Sequence, residues 1–235
     1  MSASSSPTRP PLLTGTPATN RALAVVAGAI FLALAVAVPD QGGWGFDSKV
    51  KRVLDAIFPV SSEDVHPDPL LVGIVAVGTG AAGLAAAWFL LQRRWSQAFF
   101  IVGSIVGTVA LSSLAKELVQ RPSIEAGPAD YSFPSGTAAW AAAVAVAAVL
   151  LAGSPRARGL VAAAGAVLVL AYSAVITWEE WHYASDVIAG WCLALAWVGL
   201  LGSVLLRDRQ GRSVAAVSGA GPWGRLRPSK SAGRE

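Results

Sequence analysis

The sequence predicts an all-α protein: a six-span transmembrane helix bundle with both termini cytoplasmic. Three observations carry that expectation. Of the 235 residues, 54% are hydrophobic and only 14% are charged, where a soluble domain carries about a quarter charged residues. The apolar residues fall into long uncharged runs, and a bilayer core of roughly 30 Å needs about 20 apolar residues as helix. Ala and Gly are abundant within those runs, and small residues let membrane helices approach closely.

Residues 1–20 are rich in Ser, Thr and Pro, a composition expected to give a disordered cytoplasmic tail. The membrane domain is expected over 21–206. Its first span is Ala22 to Val38; the run is short enough to be a signal peptide instead, with Ala35-Val36-Ala37 as a cleavage triplet. Within the polar loop 39–69, Phe46, Val50, Val53, Leu54, Ile57 and Phe58 recur at helical spacing, which predicts an amphipathic helix on the membrane surface. The second span is Leu70 to Leu91, the third Ala98 to Leu118, the fourth Ser135 to Gly153, the fifth Leu160 to Trp178 and the sixth Ser185 to Leu206. Residues 207–235 are basic and rich in Gly and Ser, so a second disordered tail is expected.

The net charge of +4 does not point to nucleic acid, because the basic residues lie between spans and in the tails without stacking aromatics among them. They read as topology signals. Arg93, Arg94, Arg156, Arg158 and the tail arginines share one side, while most acids share the other. The positive-inside rule then makes the ends cytoplasmic. The expected setting is the plasma membrane of a cell, multi-pass, with the active site facing outward. Trp44, Trp178 and Trp181 suit interfacial anchoring. The single cysteine, Cys192, lies in an apolar run and reads as packing. No Cys/His cluster with metal spacing and no Gly-rich nucleotide loop is visible, so no cofactor is expected. Oligomeric state is not legible.

On the outer side sit the residues that carry chemistry. His182 and Asp186 are four apart. On a helix they share a face, and Asp186 would orient one imidazole nitrogen and leave the other as nucleophile or base; the plainer reading is a polar pair at a helix start. Pro134-Ser135-Gly136 opens the fourth span, where unpaired N–H groups and the helix dipole favour phosphate. Ser135 alone would be an ordinary N-cap. Lys116 ends the third span, with Arg121 five residues on and able to grip phosphate in a bidentate way. Together these groups fit phosphoryl transfer: cations and N–H groups hold the oxygens while His182 attacks phosphorus.

With these motifs the chain resembles the type 2 phosphatidic acid phosphatase superfamily, the membrane lipid phosphate phosphatases. That family carries KxxxxxxRP, PSGH and SRxxxxxHxxxD motifs. Lys116, Pro134, Ser135, Gly136, His182 and Asp186 match, and Gly190 falls at a common family position. The chain departs from the pattern at three places: Ser123 stands where the first Arg is expected, Thr137 where the His of PSGH is expected, and Ile176 where the third-motif Arg is expected. Arg121-Pro122 lies two residues early. The resemblance implies a histidine nucleophile with its Asp, here His182 and Asp186. It also implies a substrate-phosphate site at Lys116, Arg121, Ser135, Gly136 and Thr137.

The expected activity is hydrolysis of a lipid phosphate or diphosphate, isoprenoid or glycerolipid. The partners are a phosphorylated lipid and the bilayer, with no nucleic acid. A low-pKa leaving group such as a diphosphate needs less acid assistance than the missing histidine would supply, and Glu179 or Glu180 is a candidate proton donor beside a plainer reading as solvated loop. The alternative is a catalytically weak or inactive relative that binds a phosphorylated lipid as carrier, sensor or assembly subunit.

Overall fold

Uncharged apolar runs fold as helices because a bilayer offers no water to backbone N–H and C=O groups, and a helix satisfies them internally. The computed structural model describes residues 17–38, 43–58, 68–124 and 131–217. Within them lie α1 (Pro17–Ala37), α2 (Gly45–Ile57), α3 (Asp68–Leu91), α4 (Trp95–Val119), α5 (Gly136–Leu151), α6 (Pro155–Trp178) and α7 (Ala184–Val217). The expected tail segments 1–16 and 218–235, and the loop holding Asp64 and His66, lie outside the described residues.

Among the described residues, five helices have the length and hydropathy of a membrane crossing: α1, α3, α4, α6 and α7. The expected fourth span, α5, is an apolar helix shorter than the other five. It has 16 residues, about 24 Å of helix at 1.5 Å per residue, short of the roughly 30 Å hydrocarbon core. Its place explains its length. α5 is surrounded by α4, α6 and α7, and Ala138, Ala139, Ala142, Ala143 and Ala147 are buried. Two boundaries also move outward. α1 begins at Pro17, inside the expected tail, and α7 runs on to Val217, past the expected end at 206. Among the described residues, the regular secondary structure is helical, with one isolated bridge from Pro122 to Tyr131.

Small residues set the helix contacts. A Cβ on Gly190 of α7 would lie 2.5 Å from the Ser135 carbonyl oxygen, so only glycine lets α7 meet the start of α5. Gly107 of α4 similarly admits Trp197 of α7, whose indole N–H donates to the Gly103 carbonyl at 2.7 Å. Phe100, Ala143, Ala147, Ala194 and Val198 form the core between α4, α5 and α7. Cys192 is buried, as expected of a packing residue.

The amphipathic helix forms, but it is anchored to the bundle. Phe46, Val53 and Ile57 are exposed on one face. The other face turns Asp47 and Leu54 inward. Phe58 meets Trp178 at 5.3 Å between ring centroids, and Lys51 pairs with Glu180 at 3.3 Å. Trp178, expected as an interfacial anchor, is buried in this contact.

Candidate active site

Four helix ends converge near α2: the C-terminal ends of α4 and α6 and the N-terminal ends of α5 and α7. Two left-handed residues shape the turns. Gln120, at φ 52°, caps α4 four residues after Lys116, and its N–H donates to the Lys116 carbonyl at 2.9 Å. Glu180, at φ 61°, closes α6. There the Glu180 N–H reaches Thr177 O at 3.3 Å and the Trp181 N–H reaches Ile176 O at 3.1 Å, the paired bonds of a Schellman turn. Trp181 also packs near Ile176 in one apolar cluster. This turn fixes His182 directly after it.

His182 therefore lies before α7, not on it. The expected one-turn relation to Asp186 does not hold, since α7 begins at Ala184. His182 Nδ1 has no hydrogen-bond partner. The Asp186 carboxylate is engaged elsewhere: it accepts from the Arg121 guanidinium and from the Tyr183 N–H at 3.3 Å. Burial, reinforced by the nearby Lys116 charge, pushes the His182 imidazole down to about 3 against the opposing pull of the Ser132 backbone. At neutral pH the ring is uncharged and its lone pair is available.

Arg121 also differs from expectation. It is 1% exposed. One guanidinium nitrogen serves Asp186 and the Ser185 hydroxyl, the latter at 2.9 Å, and the other reaches Asp47 Oδ2 at 3.3 Å. Its plane stacks on Tyr183, 3.9 Å from the ring centroid. Its charge is held by two carboxylates, because a buried guanidinium left without them would be costly.

Asp47 is the member that sequence reasoning missed. It occupies the first turn of α2, where it accepts from the Trp44 N–H at 2.8 Å. It also accepts from the Ser185 N–H at 2.8 Å and the Ser185 hydroxyl at 3.0 Å. One carboxylate thus ties α2, α4 and α7 together. The available signal was its place at the third position after Trp44, the acidic slot of a capping box.

Beside this ion cluster lies a hollow of about 510 Å³, lined by Ser112, Ser113, Lys116, Glu117, Gly136, Thr137, Trp140 and His182, among others. It brings together Lys116, Gly136, Thr137 and His182 from the expected set. Arg121, Ser135 and Asp186 are buried behind it. The Ser135 hydroxyl accepts from the Ala138 N–H at 3.3 Å, capping α5, and its own N–H donates to the Asp186 carbonyl at 3.0 Å. Thr137 lies 3.4 Å from Ser135 Oγ and hydrogen-bonds with Tyr172. Ile176, at the expected arginine position, is fully buried. A second hollow of about 290 Å³ lies under α2, and His182 lines both. Among the described residues, no three or more His, Cys, Asp or Glu side chains group as a metal site.

The family model described as the PAP2 superfamily matches residues 97–209. Among solved structures, the chain is similar to a transmembrane PAP2-type phosphatidylglycerolphosphate phosphatase from Bacillus subtilis. The identity is 20% and the TM-score 0.56, over 81% of this chain and 96% of that one. No curated protein matches the chain.

Proposed function

The chain belongs to the PAP2 superfamily, the type 2 phosphatidic acid phosphatases, as a multi-pass helical membrane protein, and from that premise we propose that it hydrolyses a lipid phosphate or diphosphate. The observation that carries this reading is one hollow holding an uncharged His182 beside Lys116 and the open start of α5. Lys116 and the first N–H groups of α5 hold the phosphate oxygens. An imidazole nitrogen of His182 forms a bond to phosphorus as the bond to the leaving oxygen breaks. That oxygen leaves toward solvent and takes its proton there. Water then cleaves the P–N bond, giving inorganic phosphate and free imidazole.

In this scheme Asp186 and Arg121 act as positioning residues. They fix the start of α7, and so the turn that presents His182, without touching phosphate. The site faces outward and both chain ends are cytoplasmic, on the distribution of basic residues. The expected substrate is an isoprenoid or glycerolipid phosphate in the plasma membrane.

A second reading has a specific observation in its favour. Arg121 is committed to carboxylates, and Ser123, Thr137 and Ile176 replace three charged or titratable groups of the family pattern. A silent relative that binds a phosphorylated lipid as carrier, sensor or assembly subunit would have such a site. The test offers purified protein a glycerolipid phosphate and an isoprenyl diphosphate. The enzyme reading expects phosphate release that falls by about three orders of magnitude or more in His182→Ala. Binding of either lipid without release supports the silent relative.

A further inference from the structure

Ser112 lies one turn before Lys116 on the inner face of α4, in no motif of the family pattern. It is 2% exposed. Its hydroxyl has no hydrogen-bond partner. It nevertheless lines the same hollow as Lys116, Thr137 and His182. A Cβ on Gly136 would stand 3.4 Å from Ser112 Oγ, so the hydroxyl faces the first turn of α5 across the space that glycine leaves. A buried hydroxyl without a partner is costly. Here it sits beside a lysine and a helix start, both of which favour an anion.

We propose that Ser112 is a substrate-binding residue of this hollow, its hydroxyl donating to a non-bridging phosphate oxygen between Lys116 and the α5 N-terminus. This deepens the phosphatase reading and rests on the hollow being the phosphate site. It accounts for how a site with Arg121 withdrawn, and with Ile176 and Thr137 at charged-group positions, still presents donors to phosphate. Neutral hydroxyls stand in for some of the cations: Ser112 from α4 and Thr137, held by Tyr172, from α5.

Inorganic phosphate is the probe. The thermal midpoint of the full-length detergent-solubilised protein is followed as phosphate is added, giving an apparent Kd. Ser112→Ala should weaken that Kd about tenfold or more, the loss of one hydrogen bond to a charged group. Ser104→Ala is the control: Ser104 is equally buried and also partnerless, but it does not line the hollow and lies about 12 Å deeper along α4. Its Kd should match wild type. Phosphate affinity unchanged in Ser112→Ala, or weakened equally in both variants, overturns the assignment of Ser112 and leaves the phosphatase reading standing. A wild type that phosphate does not stabilise at all overturns both.

Discussion

Asp47→Ala should release α2 from the bundle. The substitution removes an acceptor from the Trp44 N–H, the Ser185 N–H, the Ser185 hydroxyl and Arg121. Arg121 keeps Asp186, so its charge stays partly paired, but Ser185 loses both bonds at a buried helix start. Removing one partner of a buried charged pair costs about 3–5 kcal/mol. What still holds α2 is modest: buried Leu54, the Phe58–Trp178 contact and the partly exposed Lys51–Glu180 pair. Opening of α2 should become easier by roughly two to four orders of magnitude. Hydrogen exchange of the α2 amides reads this directly, because those amides exchange through local opening. Asp47→Asn keeps an acceptor for the Ser185 N–H and loses the charge, so about one to two orders are expected. Phosphate release should fall in the same order, since α2 covers the turn that carries His182. Unchanged α2 exchange in Asp47→Ala would refute the view that this carboxylate docks the helix.

Three further outcomes follow from the same geometry. Gly190→Ala puts a methyl 2.5 Å from the Ser135 carbonyl oxygen, so α5 and α7 must part; the thermal midpoint should fall by an amount equivalent to about 1–3 kcal/mol. His182 is neutral down to about pH 3, so kcat/KM should show no acid limb near the ordinary histidine value of 6.5. Because folding lowers this group's pKa, its stabilising contribution is complete above about 6.5 and is lost as pH falls from there toward 3. A limb at 6.5 in the pH profile would contradict the burial argument. Thr137→His, alone and with Ser123→Arg, should raise turnover of a lipid phosphomonoester about tenfold or more, because Thr137 already lines the hollow. An unaltered rate would show that a leaving-group acid is not what limits this site.

The spans were legible because long uncharged runs admit one solution in a bilayer. Where the chain departs from that, the cause is packing. α5 is as apolar as its neighbours, yet it stops at 16 residues in the middle of the bundle. Sequence spacing also brought Lys116, Gly136, Thr137 and His182 to one hollow. It did not yield the ion cluster, because Asp47 and Arg121 are 74 residues apart and no local pattern joins them. The His182–Asp186 spacing suggested a shared helix face. The left-handed Glu180 ends the preceding turn in a way that puts His182 ahead of α7. Ser112 was invisible for a simpler reason: a serine in an apolar run gains meaning only when its hydroxyl is seen without a partner beside Lys116.

Single-turnover reaction of the purified protein with a lipid phosphate labelled in its phosphoryl group, quenched in alkali to preserve a P–N bond, gives the most direct measurement. A phosphoryl group on His182 that forms and decays as phosphate appears is the predicted result, with none formed by His182→Ala. Phosphate released at an undiminished rate by His182→Ala, or a phosphoryl group on another residue, would contradict the assignment of His182 as the nucleophile.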